Sequence, residues 1–323
     1  MGDVLLTTPL IRALRERHPD ARITFVTKTA FASLVADNPR IAEVIGYDPA
    51  TPLKALADRI KAGQFTHLLD LHGSVRTRWL RLLIGGSWGS YPKHRVARAL
   101  LIRTKRDRYS DRRPVAERYF DAARALDVVP SGQPLEFFVR REAMEEAQQF
   151  LRLRGLGVDR PLIAVCPGAQ HATKRWLLRH WQHLVTRLTT TGSDVVVLGG
   201  PADRQLGEDV AAAGAESAAS AAGAFDFPGS AALLKLSRRA VSGDTGLMHL
   251  ATAVQTPVVA LFGPTVRQFG FYPYGGRATV LERDLPCRPC SAMGGPTCPL
   301  GHHRCLLDIG PDEVFNAIRR LPR

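Results

Sequence analysis

Short β-rich runs alternate with amphipathic helical stretches along this chain, and the alternation starts afresh midway. Strands separated by helix-length segments cannot pair as hairpins. They need crossover connections, so the pattern predicts βαβ units and parallel sheets. In the first half, strands are expected at residues 22–27 (RITFVT), 44–47 and 66–71 (THLLDL), with helices at 52–62 and 113–126. In the second half, residues 161–166 (PLIAVC), 194–198 (DVVVL), 240–242 and 256–261 (TPVVAL) read as strands. Helices are expected at 142–154, 179–190, 203–213, 231–239, 246–253 and 311–320. Gly155 and Gly157 end the helix that precedes them, because glycine is favoured just past a helix C-terminus. The 323 residues make about two domains at ~150 residues each. The expected architecture is therefore α/β, with two Rossmann-like domains, 1–157 and 158–323, facing a cleft. The terminal helix is free to pack back on the first of them.

Ligands of open α/β sheets bind beyond the carboxyl ends of the strands, so polar residues placed there are the site candidates. The loop after 161–166 is Gly168-Ala169-Gln170-His171-Ala172-Thr173-Lys174-Arg175. Its backbone N–H groups suit phosphate oxygens, and Lys174 adds a point charge. An ordinary βα loop with surface cations would look the same. After 240–242 comes Gly243-Asp244-Thr245-Gly246-Leu247-Met248-His249. Thr245 is placed to cap the next helix, whose first free N–H groups suit a pyrophosphate. His249 follows one turn later on the same side. Asp244 would repel a phosphate and reads as an orienter of N–H groups or of a hydroxyl. A capped helix with a buried histidine is the competing reading. Asp203, after the glycines that end 194–198, can meet ribose hydroxyls or merely cap a helix. His72, after the third strand, either lines the cleft or is structural. Asp3, at the start of the first helix, can take a proton from a hydroxyl or act as a cap.

The net charge is +14. Residues 76–118 carry thirteen Lys/Arg against three Asp/Glu, a local charge of +10. That segment is a solvated Arg-rich surface, a docking surface for an anionic acceptor or lipid headgroups, or a nucleic-acid surface. Its aromatics, Trp79, Trp88, Tyr91 and Tyr109, form no stacking module, which weakens the last reading. No apolar run approaches the ~20 residues of a spanning helix, and no signal peptide is evident, so the expected compartment is the cytoplasm. No G-x-G-x-x-G follows a strand, which disfavours a dinucleotide oxidoreductase.

In this order, the stretches GDVLLTTPLIRALRERHPDARITFVT, DLHGSVRTR, PGAQHATKRW, VVVLGGPADR, VSGDTGLMHLATAVQTPVVALFGPT and CPLGHHRCLLDI resemble glycosyltransferase family 9, the ADP-heptose:lipopolysaccharide heptosyltransferases. The resemblance runs from residue 2 to about residue 309. It implies a GT-B fold and inverting transfer of heptose from ADP-L-glycero-D-manno-heptose. The acceptor would be Kdo-bearing lipid A or a heptosylated inner core, with no catalytic metal and no required cofactor. It places such an enzyme in the cytoplasm, peripheral to the inner membrane and in contact with anionic lipid rather than nucleic acid. By the same resemblance Asp3 is the general base and Lys174 the phosphate-binding lysine. Asp244, Thr245, Gly246, Leu247 and His249 form the donor loop. Thr173 and Asp203 join the donor side, and His72 and Arg76 the acceptor side.

Members of that family usually carry an apolar strand ahead of the GD motif. Here Met1 directly precedes it, so the first domain is expected to lack its first strand. Cys287, Cys290, Cys298 and Cys305, with His302 and His303 among them, read as structural zinc, as reduced thiols in a packed loop, or as cysteines in disulfide or redox roles. Two other classes compete with the main reading. One is a GT-B enzyme using another nucleotide sugar, such as a UDP-sugar transferase or an epimerase. The other is a basic, non-enzymatic binding protein.

Overall fold

The structure is a computed structural model and describes residues 1–322. The first half runs α1 (Gly2–Leu5), α2 (Thr8–Arg17), β1 (Thr24–Lys28), β2 (Glu43–Tyr47), α3 (Leu53–Ala62) and β3 (Leu68–Asp70). It continues through α4 (Val75–Ile84), β4 (Trp88–Ser90), α5 (Arg95–Thr104) and α6 (Val115–Arg118). The second half opens with α7 (Arg141–Arg152), β5 (Leu162–Cys166), α8 (Leu178–Thr190), β6 (Asp194–Val197), α9 (Arg204–Ala211) and β7 (Ala218–Ser220). It then runs α10 (Phe227–Leu236), β8 (Arg239–Gly243), α11 (Gly246–Ala253), β9 (Val258–Phe262), β10 (Ala278–Glu282), α12 (Arg304–Leu307) and α13 (Pro311–Arg320).

In the second half all six strands form one parallel sheet in the order β10-β9-β8-β5-β6-β7. The central strands are covered on both faces, so they carry apolar side chains at every position rather than at alternate ones. Successive side chains still point to opposite faces. Ala164, Cys166, Val196, Ala240 and Phe262 join one cluster with Leu233, Leu250 and Met248. Ile163, Val165, Val195, Val241 and Leu261 join another with Trp181, Leu184, Phe315 and Ile318. The first cluster also takes in Leu5, Leu6, Leu10 and Tyr119, so one apolar core is shared by both halves.

In the first half the strands pair two by two, β1 with β2 and β3 with β4, both parallel. β4 passes so close to the 3-10 turn Tyr119–Leu126 that a Cβ on Gly89 would lie 1.8 Å from the Ala122 carbonyl oxygen. Only glycine fits there.

Three expectations about the halves are corrected. The terminal helix α13 does not return to the first domain. Its buried face, Val314, Phe315 and Ile318, lies on α8 and on β8 and β9, and Arg239 holds the Leu321 carbonyl at 2.6 Å. A boundary at 157 also falls too late by packing. α7 buries Ala143, Ala147, Phe150 and Leu151 against α10, and Phe150 meets Phe225 edge-on at 5.3 Å, so this helix lies with the second half. The glycines after it mark a helix end, not a domain end. The single helix expected over 113–126 is a short α-helix followed by a 3-10 segment with a kink at Ala123.

The crossing segment is fastened to both sides. Glu136 receives Arg12 at 2.7 Å and Arg40 at 2.9 Å, and its N–H donates to Thr8 Oγ1 at 3.1 Å. One residue on, the Phe137 N–H donates to the Ala253 carbonyl of the second half.

Overpacking a closed site costs about 1–3 kcal/mol. Gly89→Ala is therefore expected to lower the denaturant midpoint with an unchanged slope. A midpoint equal to that of the parent chain would show that β4 can move away from Ala122.

Candidate active site

Strand order runs outward in one direction from β5 through β6 to β7, and in the other from β8 through β9 to β10. The reversal lies between the neighbours β5 and β8. At such a switch point the two following loops diverge and leave a crevice at the carboxyl ends. Cys166 at the end of β5 stands beside Ser242 near the end of β8. The loops that leave them carry Lys174 and Asp244, and the Lys174 ammonium sits 2.6 Å from Asp244 Oδ2. Their side chains are 15% and 8% exposed. The pair therefore lies at the floor of the crevice, with a solvent path on the lysine side.

Asp244 has a second donor, the hydroxyl of buried Thr265 at 2.6 Å. Thr265 lies on the turn after β9, and that turn is itself braced. Arg288 donates to the carbonyls of Gly263 and Thr265 at 2.5 and 2.7 Å, and to Glu282 at 2.6 Å. Thr173 is held just as firmly. Its hydroxyl accepts from the Gly295 N–H at 2.8 Å, and its carbonyl meets His303 Nε2 at 3.0 Å. The loop that contains the cysteines thus buttresses both Lys174 and Asp244.

α11 begins directly after Asp244 and Thr245. Thr245 occupies the cap position, but its side chain makes no capping bond. Its hydroxyl lies 3.2 Å from that of Ser242, which corrects the expected cap. Within the described residues the N–H groups of Gly246 and Leu247 have no acceptor, and at a helix N-terminus such groups favour an anion. The first helix lies against this one. A Cβ on Gly2 would come within 2.8 Å of the His249 ring, and one on Gly246 within 2.3 Å of Met1 Sδ. Two glycines, one per half, permit this approach and set Asp3 beside α11.

His249 is buried, and its Nδ1 has no partner among the described residues. Burial pulls its pKa down to about 4, against partial opposition from Asp244 and Asp3. The ring is neutral at physiological pH.

Asp3 itself is exposed. Its negative field reaches the groups around the first-half side of the crevice. Burial raises the Tyr91 phenol to about 12, and Asp3 adds to that rise. Burial lowers the Lys93 ammonium, and Asp3 opposes the drop. The same pattern holds for His72, lowered by burial and by Lys93. The turn that carries His72 is built on buried Asp70, whose Oδ1 accepts the N–H groups of His72 and Gly73 at 3.0 and 2.7 Å. Lys93 donates to the His72 carbonyl.

Arg76, expected on the acceptor side, is turned elsewhere. It donates to the carbonyls of Pro49 and Thr51 and lies 4.9 Å over the Tyr47 ring. Two steps along α4 from the Ser74 cap, its side chain points away from the turn before the helix. Asp203 receives the Gly200 N–H at 3.0 Å and so closes the 3-10 turn Pro201–Asp203, while its side chain makes no capping bond to α9. Its carboxylate also fills the place of a side chain on Gly168, which keeps it at the lip of the crevice. Lys93, Thr265 and Arg288 were not singled out in the sequence. Only Thr265 carried a usable signal, being a hydroxyl two residues past the glycine that ends a buried strand.

The four clustered cysteines are free thiols. Burial, then neighbouring Cys290, pushes the Cys305 thiol up to about 11. Cys287 Sγ lies 3.9 Å from His302 Nε2. Among the described residues no three His, Cys, Asp or Glu side chains converge as a metal-ligand set.

Two α/β units with one cleft at a strand-order reversal, a cation and helix amides on one side and a carboxylate on the other, define a GT-B glycosyltransferase. The sequence profile of glycosyltransferase family 9 (heptosyltransferase) matches residues 53–300, and the chain belongs to that family. It is 26% identical over 345 residues to lipooligosaccharide heptosyltransferase 2 of Haemophilus influenzae, covering 99% of this chain and 96% of that protein. It is 28% identical over 349 residues to lipopolysaccharide heptosyltransferase 1 of Pseudomonas aeruginosa, covering 100% and 92%. Among solved structures, the family 9 glycosyl transferase of Veillonella parvula superposes with a TM-score of 0.81 at 26% identity, covering 99% of this chain and 93% of that one.

His249 gives a pH signature. Its folded-state pKa of about 4 lies below the free value of 6.5. Between these values the unfolded chain binds the extra proton. This contribution to stability is complete above pH 6.5, falls as pH falls, and is gone below about pH 4. Urea midpoints of the parent and of His249→Gln are expected to converge as pH drops through that window. A constant gap from neutral pH to pH 4 would contradict the buried, neutral ring.

Proposed function

We propose that this protein transfers heptose from ADP-L-glycero-D-manno-heptose to the inner core of lipopolysaccharide, with inversion at the anomeric carbon. The observation that carries the reading is the Lys174–Asp244 pair at the strand-order reversal, with Asp3 brought to it by the contact of α1 with α11. Family membership and the full-length likeness to curated heptosyltransferases support the donor and acceptor class.

In this reading the diphosphate lies across the N-terminus of α11. When the bond between the anomeric carbon and the phosphate oxygen breaks, both bonding electrons go to ADP, and negative charge grows on its β-phosphate. Lys174 and the N–H groups of Gly246 and Leu247 stabilise that charge, and they are already in place before the reaction begins. Asp244, held by Thr265, keeps the lysine at the floor of the crevice. Thr173 shapes the loop, His249 supports the helix from beneath, and Thr245 and Asp203 line the donor side. Asp3 removes the proton of the attacking acceptor hydroxyl. His72 and Lys93 lie on the same side as Asp3 and suit an acceptor bearing carboxylate or phosphate groups.

No helix among the described residues is long and apolar enough to cross a membrane. The enzyme works at the cytoplasmic face of the inner membrane, as a peripheral protein, with no nucleic-acid partner. It needs no cofactor for the transfer.

ADP release from ADP-heptose, with and without Kdo-bearing lipid A or a heptosylated core, tests this directly. Release is expected to depend on the acceptor. Asp3→Asn is expected to cut turnover by about 10²–10⁴-fold with donor binding kept. Lys174→Gln is expected to cut it by about 10²–10³-fold. Equal release with and without every acceptor, or full activity of Asp3→Asn, would overturn the assignment. Stronger competition by UDP than by ADP would move the enzyme to another nucleotide sugar.

A further inference from the structure

Thirteen large apolar side chains are exposed among the described residues, and six of them lie on α4 and α5. On α4 they are Val75, Trp79, Leu82 and Leu83, at spacings i, i+4, i+7 and i+8, which is one helical face. On α5 they are Val96 and Leu100, one turn apart. Trp79 is 57% exposed, Leu82 74% and Val96 75%. These are second stripes, distinct from the ones that hold the helices to the protein. α4 is anchored through Leu80 among Leu56 and Ile60, and α5 through Leu101 beside Tyr109 and Phe269.

The same stretch is uniformly cationic. Residues 75–106 contain nine Lys/Arg and no Asp/Glu. Arg78 and Arg103 are exposed, with no carboxylate partner among the described residues. Apolar side chains and arginines interleaved on exposed helices fit the boundary of an anionic bilayer. Leucine, valine and tryptophan enter the acyl margin there while guanidinium groups meet headgroup phosphates. A nucleic-acid backbone offers nothing to Leu82 or Val96. A second copy of this chain would bring an equal positive charge.

The two helices also start at the acceptor side of the crevice. α4 is capped by Ser74, directly after the His72 turn. At the head of α5, Lys93 and Arg95 donate to the carbonyls of His72 and Gly73. A membrane against these helices therefore lies beside Asp3 and its cationic neighbours.

We propose that the exposed faces of α4 and α5 form the membrane-docking surface of this protein, inserting Trp79, Leu82 and Val96 among anionic phospholipids. The choice of partner rests on the acyl-anchored acceptor proposed above.

The full chain is sedimented with vesicles of phosphatidylcholine alone and of phosphatidylcholine with phosphatidylglycerol. Binding is expected only with the anionic lipid and is expected to fall with added salt. Leu82→Glu combined with Val96→Glu is expected to weaken vesicle binding at least about tenfold. Arg78→Glu combined with Arg103→Glu is expected to do the same. Both pairs are surface positions, so thermal melting is expected to match the parent, as is ADP release with an acceptor stripped of its acyl chains. Equal vesicle binding by the parent and both variants overturns the proposal, as does indifference of the parent to phosphatidylglycerol. A parent dimer that the Glu variant abolishes, without any vesicle binding, overturns it in favour of self-association. Anionic-lipid binding that the variants abolish, in a protein that transfers no heptose, leaves the docking surface standing and removes the activity instead.

Discussion

The reversal of strand order between β5 and β8 is the constraint from which the site follows. A parallel sheet that grows outward from its middle in both directions must send two adjacent loops apart at their carboxyl ends. Those loops bear Lys174 and Asp244, and the pair closes across the gap at 2.6 Å. The rest of the apparatus fixes that pair. Thr265 holds the carboxylate, Arg288 holds the turn that carries Thr265, and Gly295 with His303 holds Thr173 next to the lysine. The cysteine-containing loop is therefore a brace behind the crevice rather than an appendage. The first half adds one helix, admitted by glycines at positions 2 and 246.

How much of this was legible in the sequence depended on burial. The strands β5, β6 and β9 stand out because parallel strands covered on both faces carry long apolar runs, while β8 shows only through the short run Ala240-Val241. β4, β7 and β10 escaped notice. β4 is the three residues WGS, β7 is three residues of an alanine-rich stretch, and the outermost β10 has exposed ends and half-buried interior positions. The helices α4 and α5 lie inside an Arg-rich segment whose charges mask their apolar spacing. A periodic apolar stripe says that a helix has a preferred face, not that the face points inward.

Site residues were legible by position more than by role. Placement after a strand puts Lys174, Asp244, Thr245 and Asp203 at the carboxyl-end side of the second sheet. It did not show that Thr245 would turn toward Ser242, or that Asp203 would spend an oxygen on Gly200. Those choices depend on which neighbours the folded loops place within hydrogen-bond reach. Arg76 shows the same dependence on folded neighbours. A long side chain on a helix settles over the turn where carbonyls and a ring await it, here Pro49, Thr51 and Tyr47. Lys93 could not be chosen among thirteen cations of one segment without knowing which faced His72.

The crossing segment has a consequence for how the molecule comes apart. Glu136 is bound to Arg12 and Arg40 on one side, and its neighbour Phe137 to Ala253 on the other. The apolar cluster around it includes Leu5, Leu10 and Tyr119 together with Leu250, Phe262 and Leu135. Two lobes that share a core and a doubly anchored strap cannot melt independently, because unfolding either one strips the other of its inner face. The chain is expected to unfold as one cooperative unit with a groove in it, and a cut in the strap is expected to release no stable half.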